Sequence, residues 1–399
     1  MAEKIVLAYS GGLDTSVAIR WLQEKYSADI ATLTMDLGGK VDLEEARQRA
    51  LTIGAIRADV LDARDEFITE YVWPALQASA LYEGTYPLAT ALGRPLIAKH
   101  LVRIAQEESA FGIAHGCTGK GNDQVRFDVS AAALAPQMKV IAPAREWGMS
   151  RDQEIAYAQE RGIPLDLNKR SPYSVDENLW GRSIEAGDLE DPWNEPPEEA
   201  YAWTVAASAA PDEPQYIEVD FTRGIPVSID GHRLGGAALV ELVNDMAGKH
   251  GIGRIDHIEN RLVGIKSREI YEAPAAVVLH QAHRAIEQMC LTKEQARFKE
   301  RMAAEYADMV YNGLWFSAHR HNLDAYVKST QTHVTGKVRL RLHKGSATVV
   351  GRQSDQSLYR HSLATYDESD SFDHQASVGF IHLYGLPTRT QSEIQGEQG

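Results

Sequence analysis

Residues 10–16, Ser-Gly-Gly-Leu-Asp-Thr-Ser, form the segment whose residue types are best suited to chemistry. Adjacent glycines let backbone N–H groups turn toward an anion without Cβ atoms in the way. Ser10, Thr15 and Ser16 add hydroxyl donors, and a helix beginning here would supply the positive end of its dipole. The segment predicts a phosphate-binding loop. A helix capped by Asp14, Thr15 or Ser16 after a tight turn is the alternative.

Residues 115–126, His-Gly-Cys-Thr-Gly-Lys-Gly-Asn-Asp-Gln-Val-Arg, form a second segment rich in hydrogen-bonding side chains. Thr118 offers a donor to a carboxylate, Asn122 an amide, and Asp123 an acceptor for an ammonium group. Arg126 offers a bidentate clamp for a carboxylate. This set suits amino-acid ligands, and a glycine-rich surface loop is the alternative.

The elements that must position both segments alternate between strand and helix. Residues 5–9 are a continuous apolar run ended by glycines, the pattern of a strand buried on both faces of a parallel sheet. Further strands are expected at residues 30–35, 56–61, 112–115 and 140–142. Helices are expected from residue 13, over residues 41–53, and from Pro95, as first helical residue, to about residue 108. This alternation predicts an open α/β sheet, whose ligands bind at the carboxyl ends of the strands.

The second half of the chain predicts an α+β domain after an acidic excursion. Residues 185–214 hold nine acidic residues, five prolines and no Lys or Arg, which indicates a solvated linker. Beyond it we expect a strand at 216–221, a helix at 237–246, one long helix over 275–311, and a hairpin of 338–342 with 347–350. The tail from about residue 358 carries apolar residues, which favours docking on a neighbouring subunit.

Composition excludes several classes of protein. The 399 residues carry a formal net charge of −15, which disfavours a broad nucleic-acid-binding face. Only Cys117 and Cys290 are present, too few for a disulfide scaffold. No apolar run approaches the roughly 18–20 residues that span a bilayer, and no signal peptide is evident. We therefore expect a cytoplasmic protein that binds neither nucleic acid nor membrane.

The two chemical segments also resemble known sequences. The first resembles the Ser-Gly-Gly-x-Asp-Ser/Thr loop of ATP pyrophosphatases of the adenylating type, which cleave ATP to AMP and pyrophosphate. The second resembles the GxTGKGNDQxRF signature of the argininosuccinate synthase family. Other segments that resemble this family are residues 86–95, 174–179, 253–261 and 266–272.

The resemblance implies a fold, an activity and partners. The fold would be α/β: a parallel-sheet nucleotide-binding domain of the adenine nucleotide α-hydrolase type at residues 1–168, an α+β synthetase domain at 169–357, and a C-terminal oligomerisation arm at 358–399. The enzyme would ligate L-citrulline to L-aspartate through citrullyl-AMP, a step of arginine biosynthesis. It would use ATP as co-substrate with Mg²⁺, and it would be a homotetramer.

The resemblance further implies site residues, position by position. Asp14, Ser16 and Asp123 are the catalytic candidates. ATP would be bound by Ala8, Tyr9, Ser10, Gly11, Gly12, Leu13, Asp14, Thr15, Ser16, Met35 and Gly116. Aspartate would be bound by Thr118, Asn122 and Asp123. Citrulline would be bound by Tyr86, Thr90, Asn122, Arg126, Ser174, Ser183, Glu259 and Tyr271. No residue is assigned as a metal ligand.

Several alternatives stay open at this point. Asp14 could cap the helix or contact the metal. Ala91 stands where the family often has serine, so Thr90 or the backbone must serve citrulline. Asp123 could position the aspartate amine or act as its base, although an exposed aspartate with a pKa of about 3.9 is a weak base. A nucleotide sensor without turnover has no use for the amino-acid set, and the acidic charge disfavours an enzyme acting on tRNA.

Overall fold

The computed structural model describes residues 3–39, 42–164 and 172–396 of the chain. The chain divides into two compact units, Met1–Gln356 and Ser357–Gly399. The expected domain boundary at 168/169 lies outside the described residues.

Five parallel strands form the first sheet of the larger unit, in the order β3-β2-β1-β4-β5. They are β1 (Lys4–Ala8), β2 (Asp29–Asp36), β3 (Arg57–Asp62), β4 (Gly112–Ala114) and β5 (Lys139–Ile141). The central strand β1 pairs with β2 on one side and β4 on the other, and its residues Ile5, Val6 and Leu7 are fully buried. All five predicted strands are confirmed. The strand order reverses between β1 and β4, and such a reversal opens a crevice at the carboxyl ends of these two strands.

Helices cover this sheet, and the first of them begins at Leu13, as the sequence predicts. They are α1 (Leu13–Tyr26), α2 (Leu43–Ile53), α3 (Arg64–Phe67), α4 (Trp73–Gln77), α5 (Ala89–Glu107), α6 (Asp123–Leu134), α7 (Pro143–Glu146) and α8 (Arg151–Glu160). A π-helical segment, Ile68–Val72, joins α3 to α4. The predicted helix start at residue 41 lies outside the described residues.

The prediction that Pro95 begins a helix is wrong, because Pro95 lies inside α5. Proline lacks the N–H that the preceding turn would bond, so a sequence pattern favours it at a helix start. Tertiary contacts hold the extra turn here. The Asn178 amide donates to the Ala89 carbonyl at 2.8 Å, and the Thr90 N–H donates to the Tyr86 hydroxyl at 3.0 Å. The Thr90 contact satisfies an N–H group that a free helix start would expose to water, and the Asn178 contact anchors the same turn.

Two antiparallel sheets follow in the larger unit, in the orders β10-β9-β8-β13-β14 and β11-β12-β7-β6. Their strands are β6 (Ser174–Asn178), β7 (Gly181–Glu185), β8 (Gln215–Thr222), β9 (Ile225–Ile229), β10 (His232–Arg233), β11 (Arg254–Asn260), β12 (Lys266–Glu272), β13 (Gly336–His343) and β14 (Ser346–Gln353). The helices are α9 (Gly236–Lys249), α10 (Pro274–Cys290), α11 (Lys293–Tyr311) and α12 (Ala318–Thr330). Short 3-10 turns lie at Gly187–Glu190, Glu198–Ala200 and Gln331–His333. The predicted strand at 216–221, the helix at 237–246 and the hairpin are confirmed.

The single long helix predicted over residues 275–311 is wrong, because α10 and α11 are separate helices. Thr292 caps α11, its hydroxyl accepting the Gln295 N–H while the Gln295 side chain accepts the Thr292 N–H. This reciprocal pair is a capping box, and it starts a new helix where the apolar periodicity alone continues. The break lets α11 end with Tyr311 at the site described below.

The smaller unit consists of α13 (His361–Ala364) and α14 (His374–Gln395) with their connections. No described residue of either helix is buried in the isolated chain. Exposed apolar side chains of α14 include Phe380, Ile381, Leu383 and Tyr384. In the three ranges that the structure describes, no helix combines the length and apolarity needed to cross a membrane.

Candidate active site

The loop between β1 and α1 leaves the first turn of α1 open. Gly11 has a φ of 78°, in the left-handed region that glycine adopts without strain, and the Arg49 guanidinium donates to its carbonyl at 2.6 Å. Gly12 is the N-cap of α1, and no side chain among the described residues caps this helix. The capped-helix alternative is therefore not what the structure adopts. The uncapped N–H groups and the positive end of α1 form a ready anion site.

Tyr9 and Ser16 lie beneath this loop. Their hydroxyls are 3.0 Å apart, and Ser16 is fully buried. Burial raises the pKa of Tyr9, although the hydrogen bond with Ser16 acts in the opposite direction. Above them, the Ser10 and Thr15 hydroxyls are 3.2 Å apart. Ser16 is therefore buried against Tyr9, whereas Ser10 and Thr15 line the adjoining cavity.

A cavity of about 580 Å³ opens over the loop at the carboxyl ends of β1, β2 and β4. Its size suits a nucleotide-sized ligand. Of the residues predicted to bind ATP, it is lined by Ala8, Tyr9, Ser10, Gly12, Leu13, Asp14, Thr15, Met35 and Gly116. Gly11 and Ser16 are not among its lining residues. Further polar lining residues are Arg94, His115, Arg151, Ser174, Asp176 and Glu177.

Gly116 brings the second predicted loop against the first. A Cβ atom added at Gly116 would lie 2.8 Å from the Thr15 methyl, a separation that side chains do not tolerate. His115 holds the next residue in place: its Nδ1 accepts the Cys117 N–H at 3.2 Å, and its Nε2 lies 2.9 Å from Asp128. The neutral ring therefore carries its proton on Nε2, toward the carboxylate. The sequence did not single out this buried histidine.

Tyr86, Thr90, Tyr271 and Glu259 form one buried cluster with Tyr311. The rings of Tyr86 and Tyr271 stack with centroids 4.3 Å apart, and the Tyr86 hydroxyl lies 2.7 Å from the Thr90 hydroxyl. Tyr271 and Tyr311 each donate to one oxygen of the Glu259 carboxylate, at 2.7 and 2.6 Å. Burial and then the neighbouring Glu259 raise the pKa of Tyr311 well above its ordinary value. Burial likewise raises the pKa of Tyr271, so both phenols stay protonated and donate to Glu259.

Asn122 and Arg126 extend this cluster from the start of α6. The Asn122 amide donates to the Tyr311 hydroxyl at 2.8 Å and accepts the Leu262 N–H at 2.9 Å. Arg126 donates from Nε to the Tyr311 carbonyl at 2.9 Å and from Nη1 to Asp123 at 2.8 Å. Its Nη2 is buried and has no hydrogen-bond partner within the described part of the chain. A buried guanidinium with one unused nitrogen is expected to receive an anionic ligand.

Asp123 lies between two arginines and is only partly exposed, which corrects the expectation of an exposed side chain. Arg94 donates to it at 2.9 Å and also contacts Asp176. Burial alone would raise the pKa of Asp123, but Arg94 and Arg126 outweigh it and hold that pKa below its ordinary value. Because Arg94 also lines the 580 Å³ cavity, it joins that cavity to the Asn122–Arg126 cluster.

The remaining predicted substrate-binding residues are Thr118, Ser174 and Ser183. Thr118 is exposed in the loop between β4 and α6, and Ser174 is exposed at the cavity wall. Ser183 pairs in register with Tyr271 across β7 and β12. The structure thus brings Ser183 beside the tyrosine cluster and Ser174 to the wall of the cavity, with Thr118 on the loop between β4 and α6.

Site residues that sequence reasoning missed include Arg94, His115, Arg151, Glu154 and Tyr311. Arg94 lies within a segment that carries the family resemblance, but it had no assigned role. Arg151 and Glu154 belong to α8, whose capping box of Ser150 and Gln153 signals a helix start but not a ligand site. Glu154 is buried, and burial together with the Asp14 carboxylate raises its pKa to about 8. In the ranges that the structure describes, no three His, Cys, Asp or Glu side chains gather as metal ligands.

Comparisons with known proteins show the family to which the chain belongs. The family model described as the arginosuccinate synthase N-terminal HUP domain matches residues 4–164, and the arginosuccinate synthase C-terminal domain matches residues 173–391. An argininosuccinate synthase of Dehalococcoides mccartyi is 59% identical over 395 residues, covering 99% of this chain and 97% of that protein. Another, of Symbiobacterium thermophilum, is 57% identical over 394 residues, covering 98% of each. A solved U34-tRNA thiolase of Methanococcus maripaludis, 18% identical, covers 43% of this chain and 60% of its own, with a TM-score of 0.27 that is too low to bear on the fold.

Proposed function

Because the chain belongs to the argininosuccinate synthase family, we propose how its described residues divide the work of joining citrulline to aspartate. The enzyme ligates L-citrulline and L-aspartate to argininosuccinate, a step of arginine biosynthesis, and consumes ATP with release of AMP and pyrophosphate. The ureido carbon of citrulline is a poor electrophile because both nitrogens donate into it. Transfer of AMP to the ureido oxygen makes that oxygen a leaving group, which the aspartate amine then displaces. Positioning and electrostatic stabilisation supply most of the acceleration.

The observation that carries the citrulline assignment is the unpartnered Nη2 of Arg126. A carboxylate placed there would complete the guanidinium's hydrogen bonding with a charge-assisted contact. Glu259 lies across the tyrosine cluster as a buried acceptor, suited to the ammonium group at the same end of citrulline. Tyr86, Thr90, Ser174, Ser183 and Tyr271 are proposed to line the rest of this site.

The open first turn of α1 supports the proposal that the β- and γ-phosphates of ATP lie over Gly12, with Ser10 and Thr15 as hydroxyl donors. Met35 would lie against the adenosine. Because the Asp14 carboxylate lines this cavity, it fits an oxygen-preferring cation such as Mg²⁺, which normally keeps several water ligands. When bound, that ion would neutralise charge on the phosphates.

Asp123 is proposed to bind the aspartate amine, with Thr118 and Asn122 completing the aspartate site. The lowered pKa of Asp123, set by Arg94 and Arg126 against burial, makes it a weak proton acceptor. We therefore assign it a positioning role, and a phosphate oxygen would take the amine proton.

Product identification tests this function. Purified protein mixed with ATP, L-citrulline and L-aspartate should release pyrophosphate, AMP and argininosuccinate in equal amounts. Omission of either amino acid should abolish argininosuccinate formation. Pyrophosphate release that needs ATP and neither amino acid, or no release with all three present, would refute the assignment.

The tail is proposed to assemble the enzyme. The exposed apolar side chains of α14 support residues 358–399 as an arm that packs on other copies in a homotetramer, and we propose a cytoplasmic location. Light scattering of the full chain and of a chain ending at residue 357 tests the arm. The same number of subunits per particle for both chains would contradict it.

A further inference from the structure

The turn between β11 and β12 touches the substrate-binding amide of Asn122. It is closed by the Arg261 N–H to the Ile265 carbonyl at 2.8 Å and by the Gly264 N–H to the Arg261 carbonyl at 2.9 Å. At its tip, the Leu262 N–H donates to Asn122 Oδ1 at 2.9 Å. The turn and Asn122 are 140 residues apart in sequence, so this contact is purely tertiary.

Arg261 ties this turn to the sheet. Its Nη2 donates to both Glu185 on β7 and Glu269 on β12, and the Ser267 hydroxyl donates to the same Glu269 oxygen at 3.1 Å. Glu269 is almost fully buried, and the side chain of Arg261 is only 15% exposed. Burial and the neighbouring Glu185 raise the pKa of Glu269 to about 8, and Arg261 opposes that rise. Without the guanidinium, Glu269 would lose its charge-assisted hydrogen-bond donor in a poorly solvated position beside Glu185.

The contacts of Asn122 determine which way its amide points. Tyr311 gives its hydroxyl hydrogen to Glu259, so that hydroxyl can only accept from Asn122. The Leu262 N–H can only donate to Asn122. If the amide were flipped, Nδ2 would face the Leu262 N–H and Oδ1 would face the Tyr311 oxygen. Both hydrogen bonds would then be lost. One Nδ2 hydrogen and one Oδ1 lone pair therefore remain free in a known direction.

Resting on the proposed function, we propose that Arg261 is a positioning residue. Its hydrogen bonds to Glu185 and Glu269 hold the 261–265 turn, and the turn holds the Asn122 amide in the orientation that binds both amino-acid substrates. None of residues 261–265, all of which the structure describes, lines the proposed ATP cavity. Substitution of Arg261 should therefore weaken the binding of both amino acids and leave the binding of ATP unchanged.

Steady-state kinetics of Arg261→Gln test this proposal in the full-length enzyme. We expect the KM for aspartate and for citrulline to rise about tenfold, the effect of losing one buried hydrogen bond, while the KM for ATP stays within twofold. Arg261→Lys keeps the charge, so the increase in log KM for each amino acid should be at most half of that in Arg261→Gln. Arg254→Gln is the matched control: Arg254 lies on the same hairpin with 21% exposure and pairs with Glu198 outside the site.

A double-mutant cycle separates positioning from a general structural effect. If Arg261 acts through Asn122, Arg261→Gln should add nothing to the KM increases of Asn122→Ala. Additive effects, or an equal rise in the KM for ATP, would overturn the proposal. If Arg261→Gln does not fold, Arg261→Lys in the same cycle gives the same test.

A crystal structure of the Arg261 variant provides a readout that needs no activity. The Leu262 N–H contact to Asn122 should be lost or its amide turned, and an unchanged contact would overturn the proposal. Absence of argininosuccinate synthesis in the wild type would instead refute the proposed function.

Discussion

Arg126→Ala is expected to damage citrulline binding selectively. The side chain is only 3% exposed, and its Nη2 is the buried nitrogen left without a partner in the described part of the chain. The substitution removes the donor that a citrulline carboxylate would meet, in a site where water cannot easily replace it. The contact of Asp123 with Arg94 survives, so the fold should persist.

The size of the effect follows from the type of contact that is lost. A hydrogen bond to a charged group contributes about 1.5–3 kcal/mol, and about 1.4 kcal/mol corresponds to a factor of ten. The KM for citrulline should therefore rise about 10- to 150-fold. The KM for ATP should change by less than about threefold, because the phosphate loop does not contact Arg126.

The assay is pyrophosphate release with citrulline varied at saturating ATP and aspartate. Arg126→Lys should recover part of the loss, since it keeps the charge and lacks the planar fork. Arg103→Ala serves as control, because Arg103 forms an exposed pair with Glu107 on α5. A citrulline KM within about twofold of the wild-type value in a variant of normal melting temperature would refute the assignment.

Three further outcomes are expected. Gly116→Ala should raise the KM for ATP at least about fivefold, because its Cβ would lie 2.8 Å from the Thr15 methyl. The control Gly351→Ala, whose Cβ would lie 3.6 Å from its nearest neighbour, should leave this KM unchanged. Equal KM values for the two variants would contradict the contact. Asp123→Asn should raise the KM for aspartate while turnover at saturation persists, and normal affinity with no chemistry would favour the role of base. Burial raises the pKa of Glu154 from 4.5 to about 8, so the folded state keeps a proton that the unfolded chain loses, and stability falls as pH rises through this range. Glu154→Gln should therefore raise the melting temperature at pH 8 but not at pH 4.5, and an equal shift at both values would contradict this.

Local patterns account for what could be predicted about the fold. The strand at residues 5–9 and the glycine loop after it were evident, because a doubly buried strand needs an uninterrupted apolar run and the loop needs residues without Cβ atoms. Pro95 and the break before Thr292 were misjudged for opposite reasons. Tertiary contacts from Asn178 and Tyr86 support a turn that proline alone would prevent. At Thr292 the sequence contains a capping signal, but the apolar periodicity continues past it and favours an unbroken helix. In the structure the cap starts a new helix.

The predicted phosphate loop, the predicted amino-acid ligand set and the family resemblance could be identified from the sequence, because each depends on short runs of consecutive residues. The partners of those residues were not. Arg126 meets Tyr311 across 185 residues, and Asn122 meets Leu262 across 140. Only the packing of α6, the end of α11 and the β11–β12 turn around one cluster decides which nitrogen of Arg126 stays free and which way Asn122 points. Hydrogen-bond direction depends on the relative positions of groups in space, and no local pattern of residues specifies those positions.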